Sequence, residues 1–181
     1  MAWTDPNTAV AGQPFTAAEY NLYVRDNLNY LRVQRAFKTA DESVTSSTAL
    51  QSDDDLFLAV AANEEWFCDF TLFVEGSTSG DIKLALNIPT SATGVWGVHG
   101  LESTDVANPG SIDVAASVTL SDASTIALFT AATPTLVILR ATVFVAGTAG
   151  TIQLRWAQNG SNPTPTTIRA GSNVIGHRLS T

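Results

Sequence analysis

Few residues in this chain of 181 have the type and spacing that chemistry needs. The two histidines, His99 and His177, have no neighbouring His, Cys or acid at metal-ligand spacing, and each reads as a polar strand position. Cys68 alternates with Phe70 and Leu72, the pattern of a small buried hydrophobe and not of a nucleophile. Asp53-Asp54-Asp55 offers carboxylates for Ca²⁺ but lacks the spaced ligands and glycine of a calcium loop, so a solvated turn ahead of Leu56 is expected. Asn159-Gly160-Ser161 has the form of a glycosylation acceptor and, with no secretory signal ahead of it, reads as a hairpin turn. The sequence contains no Gly-rich phosphate loop, Gly-x-Ser-x-Gly elbow or His-Glu-x-x-His, and its many Ser and Thr have no evident base to activate them. A glycan depolymerase would need a carboxylate pair, and none is identifiable. The expectation is a non-enzymatic protein with no catalytic residue, no cofactor and no metal.

Composition limits the partners. Apolar residues make up 45% and charged residues 14%, which excludes a disordered chain. One cysteine excludes an internal disulfide framework. The net charge is -8, and only Lys38 and Lys83 are lysines. Such a surface repels phosphates, so neither nucleic acid nor an anionic membrane is an expected partner. No run approaches the roughly 20 apolar residues that span a bilayer, since the best candidate, residues 136–145, is broken by Arg140 and Thr142. The opening Met-Ala-Trp-Thr-Asp-Pro-Asn has neither a basic nor an apolar region, so synthesis in the cytoplasm is expected.

The elements divide near residue 36. Before it lie the acids Asp5, Glu19 and Asp26 and the bases Arg25, Arg32 and Arg35, so residues 1–35 are neutral and residues 36–181 carry the whole net charge. Thr16-Ala17-Ala18-Glu19 fits a capping box, and the absence of Gly and Pro from 17 to about 35 permits some five helical turns. Val24, Leu28 and Leu31 follow 4-3 spacing on one face, with Tyr20 and Asn27 beside them. So narrow a seam cannot support a lone helix in water; it must lie on its own domain, on a neighbour, or on copies of itself. Ahead of it, residues 2–15 contain Pro6, Gly12 and Pro14, with Trp3 and Phe15 as the large anchors. Such a segment is either a frayed tail or an arm that grips a neighbour.

Residues 36–181 alternate with period two. Trp66, Cys68, Phe70, Leu72 and Val74 share one face; Ile82, Leu84, Leu86 and Ile88 form another. Val137, Leu139, Ala141, Val143 and Val145 form a third, and Ile152, Leu154 and Trp156 a fourth. Weaker strands are expected over 37–43, 56–61, 95–101, 111–120, 125–130 and 167–179, with turn clusters at 76–80, 108–110, 147–150 and 159–163. Eight to ten short strands without interleaved helices predict a mainly β fold, an antiparallel β-sandwich of jelly-roll type, preceded by the extended arm and one α-helix. Phe67, Phe73, Ile138 and Phe144 fall on the opposite faces of two strands, which predicts a cover there: an oligomer interface, a loop or the arm.

One segment carries a family resemblance. Residues 3–31 read Trp3-Thr4-x-Pro6, Ala9-x-Ala11-Gly12, Phe15-Thr16-Ala17-Ala18, Asn21, Val24-Arg25-Asp26-Asn27-Leu28 and Leu31. This resembles the N-terminal segment of virion structural proteins of tailed bacteriophages, encoded as tail-fibre-like, head-fibre or decoration proteins. The remainder is similar in texture to trimeric jelly-roll modules of such proteins, at Asp53-Asp54-Asp55-Leu56, Ala62-Asn63-Glu64-Glu65-Trp66 and Ala170-Gly171-Ser172. The resemblance implies a homotrimer at the virion surface that touches the major capsid protein or another virion protein. Trp3, Phe15, Tyr20, Val24, Leu28 and Leu31 would attach or trimerise, with Arg25 and Asp26 as positioning residues and the sandwich projecting outward. A capsid decoration or short head-fibre protein is the first expectation. The alternative is a tail-fibre or receptor-binding protein whose sandwich holds a host saccharide or protein.

Overall fold

Alternating burial along residues 65–75 builds the longest strand. Trp66, Cys68, Phe70, Leu72 and Val74 are fully buried, while Phe67, Asp69 and Thr71 are half-exposed. Each buried aliphatic or aromatic side chain of this kind contributes roughly 1.5–3 kcal/mol. The computed structural model describes residues 3–101, 112–120, 126–128 and 130–180, with the side chains of 101 and 112–119 outside the description. The expected turn at 108–110 lies outside the described residues.

Among the described residues twelve strands follow the N-terminal helix: β1 (Gln34–Phe37), β2 (Glu42–Val44), β3 (Gln51–Val60), β4 (Glu65–Glu75), β5 (Ile82–Asn87) and β6 (Thr93–Leu101). They continue as β7 (Ile112–Thr119), β8 (Ile126–Leu128), β9 (Thr135–Phe144), β10 (Gly150–Ala157), β11 (Thr166–Ile168) and β12 (Asn173–Ser180). The small sheet has the order β3-β10-β5-β8, and the large one contains β12-β4-β9-β6-β7 with β1 on its edge and β2 and β11 beside it. All pairings are antiparallel. Strands β3 to β10 alone form two four-stranded sheets, 3-10-5-8 and 4-9-6-7, which is the double Greek key of a jelly roll. The β-sandwich expected from the alternation is therefore the observed fold. Between the sheets lie Trp66, Trp156, Phe70, Leu56, Leu58 and Leu139, all buried. Gly176 lets β12 pass beneath this core, because a Cβ there would meet Leu58 and the Trp66 ring.

Three boundaries differ from expectation. The strand expected over 37–43 is split into β1 and β2, because Lys38 turns inward between them. The strand expected over 167–179 is split into β11 and β12 at Gly171, whose φ of +90° suits glycine. The third is Asp53-Asp54-Asp55, which is no solvated turn: it lies within β3, and Asp53 is fully buried.

Those aspartates sit in a bulge. The β3–β10 register jumps from Phe57 opposite Gln153 to Ser52 opposite Arg155. The amides freed there are taken up by Asp53 itself, whose Oδ1 accepts from Asp55 at 3.0 Å and Leu56 at 2.9 Å. Lys38 supplies the counter-charge. Its ammonium donates to Glu42 at 2.6 Å and to both Asp53 oxygens at 3.0 Å, with Asp55 at 3.4 Å. Burial alone would lower the Lys38 pKa, but the hydrogen bonds and charges of Glu42 and Asp53 outweigh it and hold the pKa above its ordinary value. The backbone of Lys38 meanwhile donates to the Ser172 carbonyl and accepts from Gly171. One residue, through its side chain and its backbone together, thus ties β1, β2 and the loop before β12 to the opposite sheet.

Replacing Lys38 by Met strands a buried carboxylate and should cost about 3–5 kcal/mol in urea unfolding. The double variant Lys38→Met/Asp53→Asn, which keeps an acceptor for the two amides, should recover most of that loss. In the wild type the cluster's contribution is complete at neutral pH. The part that Lys38 contributes is lost as pH rises past 10.5, the ordinary lysine value, because its folded-state pKa is raised.

Candidate functional site

The segment before the sandwich is built from local capping and one long-range hydrogen bond. The Thr16 hydroxyl accepts from the Glu19 amide at 3.2 Å, and the Glu19 carboxylate accepts from the Thr16 amide at 2.9 Å. This is the expected capping box. These bonds to Thr16 hold the Glu19 carboxyl below its ordinary pKa. The helix runs as α over Ala17–Glu19, as π over Tyr20–Arg25 and as α over Asp26–Leu31. It ends at Leu31 and does not continue to about residue 35, because Arg32 turns extended and Gln34 enters β1 to pair with β12.

The π turn changes which residues share a face. Bonding from i to i+5 shifts the phase of the 3.6-residue pattern, and Val24 is half-buried while Leu28 and Leu31 stand 63% and 62% exposed. The expected seam is therefore present only in its second half. Asn27, beside it, is buried and anchors the arm. It accepts from the Thr4 amide at 3.0 Å and donates to the Thr4 carbonyl at 2.7 Å and the Tyr23 carbonyl at 3.1 Å. Trp3 meets Tyr30 edge to face at 6.3 Å, and its indole donates to Asp5 at 2.9 Å. Phe15 meets Tyr20 in the same manner at 6.5 Å, with both rings exposed. Arg25 pairs with its neighbour Asp26 at 2.7 Å. Between arm and helix lies an open groove of about 510 Å³, lined by residues that include Val10, Pro14, Phe15 and Tyr23.

The helix meets the sandwich at its far end. The Arg178 guanidinium lies 5.4 Å from the ring centres of both Tyr30 and Trp66, and it pairs with Glu64 at 3.1 Å. Glu64 also accepts from the Ala61 amide at 2.8 Å and the Trp66 indole at 2.9 Å. Tyr30, Glu64 and Arg178 were not singled out by spacing. Their signal is long-range, since β12 brings Arg178 to the helix only when the large sheet closes.

The remaining candidates stay apart. His99 and His177 are exposed on the outer face of the large sheet, three strands apart and so at least about 14 Å from one another. Cys68 is buried among core side chains, which pushes its thiol pKa up to about 12. Among the described residues no group of three His, Cys, Asp or Glu could hold a metal ion, and no helix is long and apolar enough to cross a membrane. Of the four outer-face residues for which a cover is expected, Phe73 and Phe144 are exposed and Phe67 and Ile138 half-buried, and the arm lies against the helix instead.

No protein-family model matches this chain, and no curated protein matches it. Among solved structures it shows a faint likeness to the capsid of infectious bursal disease virus. For the Gx strain the identity is 12% and the TM-score 0.21, over 81% of this chain and 39% of that one. For the Gt strain the values are 14% and 0.22, over 98% and 48%. For the VP2 subviral particle they are 14% and 0.22, over 97% and 46%. The chain spans less than half the length of these capsid proteins. Likeness at this level carries no functional argument.

Because Asn27 makes the polar tether between arm and helix, Asn27→Ala should release residues 3–16. Limited proteolysis should then cut the arm at least about tenfold faster, with the melting temperature of the sandwich unchanged.

Proposed function

We propose that this chain is a non-enzymatic structural protein of a tailed-bacteriophage virion: a homotrimer that caps or bridges capsomers as a decoration or short head-fibre protein. The observation that carries the reading is the apolar surface left open on the N-terminal segment. Phe15, just ahead of the helix, and Leu28 and Leu31 upon it are each more than 60% exposed, and the helix is too short to be stable alone. Such a surface is expensive in water and is relieved by association. The likeness of residues 3–31 to phage virion proteins supports the same role for that segment. The jelly roll is compatible with it, although that fold hosts many functions, capsid and lectin domains among them.

In this reading the work done is binding energy. The arm and helix grip the particle or sister copies, and each copy adds interface that resists expansion of the shell. The acidic sandwich, with a net charge of -8 for the whole chain, keeps neighbouring copies soluble.

Imaging particles that lack the protein tests the role. Intact, infectious particles with a bare and less heat-resistant capsid are the expected result. Loss of adsorption with a normal capsid would overturn it in favour of a receptor-binding fibre. In purified protein, Leu28→Asp together with Leu31→Asp should abolish both oligomerisation and particle attachment while leaving the unfolding midpoint of the sandwich within about 0.5 kcal/mol of wild type.

A further inference from the structure

The charge of this chain is unevenly placed. Seven arginines and two lysines face seventeen acids, yet three of the arginines converge on one concavity. Arg32, at the end of the helix, Arg35, on β1, and Arg178, on β12, line an open notch of about 480 Å³ together with Asn29 and Gln34. Arg178 is held in place between the rings of Tyr30 and Trp66 and against Glu64. Arg32 and Arg35 are exposed, and neither has a carboxylate at ion-pair distance among the described residues. Among the described residues, Arg32 and Arg35 thus bring two guanidiniums without an ion-pair partner to the notch, which makes it cationic on an acidic molecule.

We infer that this notch receives carboxylate side chains from a second copy of this chain. Three observations select that occupant. Residues 36–181 carry the entire net charge of -8, so the sandwich of a neighbouring copy brings an excess of carboxylates to whatever cationic surface it meets. Identical acidic chains repel at close range unless a cationic patch on one meets acids on the next. Asn29 and Arg32 also lie on the same two helical turns as the exposed Leu28 and Leu31, so the notch borders the apolar seam directly. An apolar centre edged by arginine and amide groups is the usual anatomy of a protein–protein interface. Guanidinium suits the task better than ammonium, since its planar donors take a carboxylate two bonds at a time. Nucleic acid is the poorer fit, because the surrounding acids oppose a phosphate chain that extends beyond the notch. The inference rests on the homo-oligomer proposed above and assigns its polar contact.

The test uses the full chain and reads mass by sedimentation equilibrium across a concentration series, at about 0.1 M and about 1 M sodium chloride. Over that range the screening length falls from about 10 Å to about 3 Å. The wild-type oligomer is expected to weaken with salt. Arg32→Glu/Arg35→Glu should weaken it by about tenfold or more at low salt and remove most of the salt dependence. Arg32→Lys/Arg35→Lys should retain the oligomer with part of its affinity. Thermal melts establish that each variant keeps its sandwich. If the wild type and the charge-reversed variant assemble alike while Leu28→Asp dissociates, the notch assignment falls and the homo-oligomer stands. A wild type that is monomeric throughout removes both.

Discussion

A lysine ammonium buried between two sheets is the constraint on which the rest of the molecule depends. Lys38 is almost inaccessible to water, and a charge in that position is tolerated only where opposite charge and hydrogen bonds replace the lost solvent. Asp53 and Glu42 provide both. Because Asp53 also caps the amides of a bulge in β3, the same carboxylate shapes the small sheet and neutralises a residue at the edge of the large one. The edge strand β1 is short and exposed in alternation, so its side chains bury little apolar surface of their own. Its position is set by pairing with β12 and by Lys38. The helix inherits that position, since only Arg32 and Val33 separate it from β1.

This division explains which parts of the fold are legible in the sequence. Strands whose inner face is apolar along their length, β4, β9 and β10 above all, are readable by alternation, because two-residue periodicity and burial coincide there. The order of the strands is not legible there, because it is set by which distant segments pair, such as β3 with β10 and β4 with β9. What alternation does not carry is the destination of a polar side chain. Asp53 looks like its neighbours Asp54 and Asp55 until Lys38, fifteen residues earlier, is brought against it. A run of acids is a solvated turn by default, and a single buried cation reverses that.

The N-terminal segment is legible in a different way. Capping residues announce where the helix begins, through a bond that spans three residues. Its end is decided by Gln34 joining a strand of residues 173–180, a pairing that no local pattern announces. The apolar seam is half realised for the same kind of reason. Val24 lies in a stretch of π bonding that the spacing of Val24, Leu28 and Leu31 does not encode, and it is half-buried while the other two are exposed. Leu28 and Leu31 then point outward, and the helix is held to the sandwich by Tyr30 and Arg178, two residues that lie far apart in the chain.

The pairing of β1 with β12 also sets an order of events during synthesis. The helix, with its exposed leucines, leaves the ribosome well before the strand that seats it, and before Ser172 beneath Lys38 and Arg178 over Tyr30. Contacts between the two ends of a chain close slowly, because loop entropy must be overcome before they form. While the intervening strands are still being translated, the apolar stripe travels without the scaffold that will eventually orient it.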